Sequence, residues 1–114
     1  MKAYIIENTA KAAVKDIQMP EPEENEVLIK VMAAGLCATD GHIYKGEYYS
    51  QFPLVPGHEF SGIIEKTGSK VKYFRKGQRV CADPNIYCER CEFCKNNIQN
   101  YCLDFQAAGV TRNG

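Results

Sequence analysis

Four cysteines crowded into fifteen residues constrain this 114-residue chain more than any other feature of its sequence. They are separated by two, two and seven residues: Cys88, Cys91, Cys94 and Cys102. The surrounding segment is polar and cannot bury enough apolar surface to order itself. Four thiolates around one Zn²⁺ would close a tetrahedral site and supply the missing free energy. The spacing therefore predicts a structural zinc lobe over residues 83–104.

Other chemistries also use clustered cysteines, and each fits this spacing less well. The bacterial ferredoxin run places its fourth cysteine three residues after the third and before proline, whereas here the gap is seven and Leu103 follows. A redox pair needs only one Cys-x-x-Cys. A secreted disulfide scaffold could also carry six cysteines, but we find no secretory signal and expect a cytoplasmic, reducing location. The remaining Cys81 lies in a predicted strand and is expected to be a buried thiol.

Composition limits the classes of partner. Fourteen Lys and Arg balance fourteen Asp and Glu, so the formal charge is zero and no basic cluster favours nucleic acid. No apolar run approaches the length of a membrane span. The length suits one domain with a modest core. We therefore expect a single domain over residues 1–114 that binds neither nucleic acid nor membrane.

Short apolar runs separated by Gly, Pro and Asn turns predict a mainly β fold. The predicted strands are Tyr4–Ile6, Val14–Met19, Val27–Ala34, Phe60–Lys66 and Arg79–Ala82. An acidic, proline-bearing segment over residues 20–26 reads as a solvated loop. A turn or short helix is expected after Gly35. This pattern indicates a small antiparallel barrel or sandwich.

A second group of potential metal ligands lies upstream of the lobe. His58 and Glu59 are adjacent and follow the turn Pro56-Gly57, and Cys37 precedes them by twenty-one residues. Neighbouring strand residues point to opposite faces, so both reach one metal only if the backbone is irregular there. A thiolate with an imidazole favours zinc, and two or three protein ligands leave an open position, as in catalytic sites. A chance His-Glu pair at a strand start is the alternative.

Polar residues after Cys37 suit such a site. The Thr39 hydroxyl could take the proton of a zinc-bound alcohol, and His42 could carry that proton towards solvent. Asp40 could hold the second ring nitrogen of His58. Spacing alone favours simple helix capping by Thr39 and Asp40.

Four motifs in order carry a family resemblance. Gly-His-Glu-x₂-Gly-x₅-Gly-x₂-Val spans residues 57–71, and Gly-x-Cys-x-Thr-Asp spans residues 35–40. Next come Gly77-Gln78-Arg79-Val80, with Gln78 in place of the commoner Asp, and the four-cysteine lobe. The chain resembles the N-terminal, GroES-like catalytic domain of the zinc-dependent medium-chain alcohol and polyol dehydrogenases, such as sorbitol and threonine dehydrogenases.

The resemblance implies a GroES-like antiparallel β-barrel with short helices, and a catalytic zinc on Cys37, His58 and Glu59. It implies Thr39 as the proton acceptor, His42 as the next relay member and Asp40 as the group that orients His58. It further implies hydride transfer from a secondary alcohol or sugar alcohol to NAD or NADP. Residues 106–114 are most similar to sorbitol-type members. An L-threonine dehydrogenase-type enzyme and a non-catalytic GroES-like zinc-binding module are the alternatives.

Family members also carry a Rossmann domain, and no Gly-x-Gly-x-x-Gly turn follows Gly77 here. We expect the cofactor domain and a further zinc ligand to lie outside this chain. The 114 residues alone are then expected to fold without turning over. The full-length enzyme is expected to be a cytoplasmic dimer or tetramer that acts on small molecules. Loop tyrosines could line the mouth of its pocket or be plain surface packing: Tyr44, Tyr48 and Tyr49.

Overall fold

The computed structural model describes residues 1–114 and contains seven strands, two short α-helices and one 3-10 helix. In chain order these are β1 (Lys2–Asn8), β2 (Lys11–Asp16), β3 (Val27–Ala34), α1 (Ala38–Lys45), β4 (Phe60–Thr67), β5 (Arg79–Cys81), β6 (Asn85–Ile86), α2 (Glu92–Lys95), the 3-10 helix (Gln99–Tyr101) and β7 (Gln106–Ala107). None of the helices has the length and apolar character needed to cross a membrane.

The strands pair in three antiparallel sheets, β1-β2, β3-β4-β5 and β6-β7. The prediction of a mainly β, antiparallel fold is confirmed, although backbone pairing does not close the strands into one barrel. β2 begins at Lys11 and ends at Asp16, earlier at both ends than predicted, because a two-residue turn joins Asn8 directly to Lys11. Beyond Asp16 the pairing ends where Ile17 N–H donates to the carbonyl of Met1.

Three fully buried apolar side chains form the core of the fold: Ile6, Ile43 and Leu54. Ile6 and Leu54 exchange two backbone hydrogen bonds of 2.8 and 2.9 Å, which join β1 to the segment before β4. Ile43 belongs to α1 and anchors that helix in the same cluster. Burying each such side chain contributes about 1.5–3 kcal/mol. The core therefore fixes α1, which carries Thr39 and Asp40.

The pairing of β3 with β4 brings the two candidate ligand segments together. Ala34 at the end of β3 lies opposite Phe60 at the start of β4. Just beyond this pair, Gly35 N–H donates to the Glu59 carbonyl over 2.7 Å. Because antiparallel strands place the end of one beside the start of the next, residues 35–37 and 58–59 become neighbours.

Cys81 is exposed, so the prediction of a buried thiol is wrong. β5 is an edge strand of the three-stranded sheet. Along its three residues only Val80 is half-buried, while Arg79 and Cys81 on the alternate face are exposed. The alternation of strand side chains therefore turns the sulfur outward.

The acidic loop over residues 20–26 is fastened to the turn after β4 by backbone hydrogen bonds. Gly68 N–H donates to the Glu26 carbonyl and Lys70 N–H to the Glu24 carbonyl, each over 2.8 Å. Ion pairs between exposed side chains accompany them, and such pairs contribute little to stability. The backbone bonds hold the loop.

We expect Gly68→Ala to destabilise the fold by about 2–3 kcal/mol, because a Cβ there would overlap the backbone of Glu23 and Glu24. Urea unfolding of the chain measures this change. Gly41→Ala is the matched control, since a Cβ at that helical position meets no atom within 4 Å. It should leave stability unchanged or raise it by up to about 1 kcal/mol. Equal stability of the two variants would contradict the tight approach at Gly68.

Candidate metal centres

The four-cysteine lobe brings its sulfur atoms together. The Sγ atoms of Cys88, Cys91, Cys94 and Cys102 all lie within 4.8 Å of one another. Cys91 caps the short helix α2, Cys94 lies inside that helix, and Cys102 follows the 3-10 helix. A set of four thiols at this separation fits a tetrahedral zinc site in its donor chemistry and number.

Backbone N–H groups of the lobe donate hydrogen bonds to its sulfur atoms. Cys88 N–H donates to Cys102 Sγ over 3.3 Å, and Cys91 N–H donates to Cys88 Sγ over 3.4 Å. Hydrogen bonds from the backbone N–H groups of Leu103 and Cys94 lower the pKa of the Cys91 thiol to about 6. Burial raises the pKa of Cys94 to about 12. Backbone hydrogen bonds in the lobe therefore stabilise the thiolate form of Cys91, and a bound cation would favour loss of the protons from the other thiols.

We expect Cys94→Ser to remove the metal of the lobe and to loosen residues 83–104 while the β1-β2 and β3-β4-β5 sheets stay folded. The purified parent chain should hold at least one zinc, counted by mass spectrometry, with hydrogen exchange reporting order in the lobe. Cys81→Ser is the matched control, because that exposed thiol lies outside the cluster and should keep the zinc. A visible iron charge-transfer band, or a Cys88 disulfide under reducing conditions, would contradict a zinc lobe.

A second cluster forms where β3 ends and β4 begins. The ligand atoms of Cys37, His58 and Glu59 lie within 4.8 Å of one another. His58 and Glu59 precede β4, and Gly57 before them has a positive φ of 105°. His58 and Glu59 lie in irregular backbone outside the strand, so strand alternation does not apply to them and both side chains can reach the same thiol.

The C-terminal segment braces the backbone that carries His58. Gly109 packs directly on the Gly57 backbone, where a Cβ would overlap the carbonyl oxygen. Gly114 N–H donates to the Val55 carbonyl over 2.9 Å, and Val55 N–H donates to Asn113 Oδ1 over 2.9 Å. These contacts hold the turn at residues 55–57 in place between the core and the cluster.

Asp40 connects the helix carrying the thiol to the histidine. Its Oδ2 accepts the Cys37 N–H over 3.0 Å, which caps α1. Its Oδ1 lies 3.6 Å from His58 Nδ1, and both atoms are buried without another partner. The structure therefore shows Asp40 at the cap of α1 and beside His58, and its role in orienting the imidazole stays a prediction.

The structure separates the two candidate relay residues. Thr39 Oγ1 lies 3.5 Å from Cys37 Sγ, beside the cluster. His42 is on the exposed side of α1, and its Nδ1 lies 2.7 Å from Glu47 Oε2. Sequence reasoning had missed Glu47. Its only signal was its place directly after Gly46, the glycine that ends α1 in the left-handed conformation.

A cavity of about 510 Å³ opens beside the second cluster. Its walls include Thr39 and His58 from the cluster, together with Glu47, Tyr48 and Tyr49. Tyr44 is not among the lining residues, since its hydroxyl donates to the Ala10 carbonyl over 3.0 Å. The volume is typical of a small-molecule site.

Residues 23–114 match the alcohol dehydrogenase GroES-like domain family, and the chain belongs to that family. It is 39% identical to D-arabinitol dehydrogenase 1 of Uromyces fabae, a match that covers 100% of this chain and 33% of that protein. It is 41% identical to sorbitol dehydrogenase of Bacillus subtilis, covering 93% of this chain and 31% of that protein.

The fold is shared with solved structures. A crystal structure from Sinorhizobium meliloti, described as a zinc-binding dehydrogenase bound to NADP, superposes with a TM-score of 0.95 at 40% identity. That match covers 99% of this chain and 33% of the other. The GroES-like fold is therefore shown. The chain spans about a third of the length of the relatives it matches.

We expect Gly35→Ala to weaken metal binding at Cys37, His58 and Glu59 by about tenfold or more. A Cβ at this position would overlap Glu59 Oε2 and lie 3.2 Å from Glu59 Cβ, so the carboxylate must leave the cluster. Titration with Co²⁺, followed through its visible d–d bands, measures the affinity.

The four-cysteine lobe should stay fully occupied in Gly35→Ala, and Gly41→Ala should bind Co²⁺ as the parent does. An unchanged Co²⁺ affinity in Gly35→Ala would show that the Glu59 carboxylate does not need the space that the absence of a Cβ at Gly35 leaves.

Proposed function

We propose that this chain is the catalytic domain of a zinc-dependent, NAD(P)-linked dehydrogenase that oxidises a secondary alcohol or sugar alcohol to the carbonyl. The observation that carries the proposal is the convergence of one thiol, one imidazole and one carboxylate beside a hydroxyl and a cavity. The names and NADP complex of the relatives support it. The four-cysteine lobe is proposed as a structural zinc site.

The donor set fits zinc, because soft thiolate and imidazole ligands with one carboxylate are typical of its open sites. In this proposal Cys37, His58 and Glu59 hold the ion, and Glu59 exchanges with water. A bound zinc would supply Lewis acidity that lowers the pKa of the substrate hydroxyl. Asp40 keeps His58 in the tautomer protonated at Nδ1, so that Nε2 faces the metal.

The chain's own residues would move the proton. Thr39 Oγ1 takes it from the substrate hydroxyl, since this is the hydroxyl beside the cluster. His42 would pass it to solvent from the exposed side of α1, with its ring held by Glu47. Hydride would pass from the alcohol carbon to a nicotinamide bound by a Rossmann domain outside residues 1–114.

The same proposal covers the wider setting of the protein. We propose a cytoplasmic location, where reducing conditions keep six free thiols available to metals. The full-length protein is proposed to be a homo-oligomer, a dimer or a tetramer. A non-catalytic zinc-binding module is the contrasting function, and it would hold metal at the four cysteines alone.

In the full-length protein we expect Thr39→Ala to lower kcat for alcohol oxidation by about 10² or more, because the proton acceptor is lost. Thr39→Ser keeps the hydroxyl and should remain near the parent. Steady-state kinetics with NAD and NADP, beside a zinc count for each variant, make the measurement. Equal turnover of Thr39→Ala and the parent at equal zinc content would show that the hydroxyl takes no part in proton transfer.

A further inference from the structure

One wall of the cavity beside the second cluster is acidic. Glu47 lines it together with Tyr48 and Tyr49, on the chain that leaves the end of α1. Building on the proposed function, we propose that Glu47 is a specificity-determining residue that selects an uncharged polyol and rejects anionic substrates, phosphate esters of polyols above all.

The position of Glu47 is fixed by the end of the helix. Its backbone N–H donates to the His42 carbonyl over 2.8 Å, and Gly46 before it turns the chain with a φ of 76°. Its Oε2 lies 2.7 Å from His42 Nδ1. The second oxygen, Oε1, makes no hydrogen bond within the chain. Glu47 thus offers the cavity an acceptor oxygen on a side chain that His42 already orients.

Two other polar groups of the cavity wall are engaged with the protein. Thr111 Oγ1 accepts the Ala107 N–H over 2.8 Å, and Asn85 Nδ2 donates to Asp83 Oδ1 over 2.9 Å. Glu47 is the only Asp, Glu, Lys or Arg among the residues that line the cavity, so it supplies the negative charge of this wall. Charge-assisted hydrogen bonds from substrate hydroxyls to a carboxylate are stronger than neutral ones.

The aromatic part of the wall suits the rest of a polyol. Tyr48 and Tyr49 line the cavity on the same stretch as Glu47, and Phe105 joins them from the lobe side. Aromatic faces pack against C–H groups, while a carboxylate at their edge accepts from O–H groups. A chain of carbons that each carry a hydroxyl presents both kinds of group.

The negative charge of Glu47 disfavours the binding of anionic substrates. A phosphate ester carries about −1.5 to −2 charges at neutral pH and would be repelled by the Glu47 carboxylate, whose side chain is 54% exposed, so that added salt weakens the repulsion. An uncharged polyol meets no such repulsion and keeps the hydrogen bonds.

The experiment compares kcat/KM of the full-length protein for D-sorbitol and D-sorbitol 6-phosphate, at low and high salt. The parent should prefer sorbitol over its phosphate ester by about tenfold or more, and salt should narrow the ratio. Glu47→Gln removes the charge and keeps an acceptor, so it should narrow the ratio about tenfold. Glu47→Lys should narrow it further. Loss of the contact between Glu47 and His42 lowers turnover for every substrate by the same factor. The ratio of the two kcat/KM values is therefore not affected by it.

Glu65→Lys is the matched control, because Glu65 is an exposed carboxylate of β4 outside the cavity. It makes the same change in net charge as Glu47→Lys and should leave the ratio within about twofold. A parent that prefers the phosphate ester, or equal ratios of kcat/KM in the Glu47 and Glu65 variants, would overturn the role of Glu47 while the dehydrogenase activity stands. Oxidation of no alcohol at all would overturn the proposed function itself.

Discussion

The buried carboxylate of Asp40 is the contact on which the second cluster depends. One oxygen caps the helix that follows Cys37, and the other faces His58 Nδ1. A carboxylate that is only 7% exposed is costly to bury unless N–H groups surround it. At the N-terminus of α1 it also meets the positive end of the helix dipole. The helix that follows the thiol and the turn that presents the imidazole thereby meet at one side chain.

The small core explains why metal ligands matter to this fold as a whole. Only ten of 114 residues are buried, and the central apolar cluster contains just three of them. In the four-cysteine lobe, order rests on two tilted aromatic pairs, Phe93 with Tyr101 and Tyr87 with Phe105, and on the sulfur atoms themselves. Since so little apolar area is removed from water there, four metal–thiolate bonds would contribute most of the stability of the lobe.

Backbone contacts at glycines set the geometry of the second cluster. Gly35 leaves room for the Glu59 carboxylate, and Gly109 lets the C-terminal segment touch the Gly57 backbone. These positions bear no functional group, yet the cluster forms only because no Cβ stands in the way. A glycine also sets the connection between α1 and the cavity. Gly46, in the left-handed conformation, turns the chain so that Glu47 returns towards His42.

The sequence by itself determined what depends on local spacing. Alternating apolar runs located β1, β3, β4 and β5, and the cysteine intervals marked the lobe, because both patterns involve residues a few positions apart. Local spacing did not reveal that the strand pairing leaves the barrel open or that Cys81 is exposed.

Strand pairing decides both, since the sheet order places β5 at an edge and turns its sulfur outward. The approach of Gly35 to Glu59, the two-sided contacts of Asp40 and the place of Glu47 on the cavity wall were likewise decided by the tertiary structure alone. Each of them joins groups whose distance is set by the pairing of β3 with β4 or by the packing of α1 on the core, and no local pattern of residues encodes that distance.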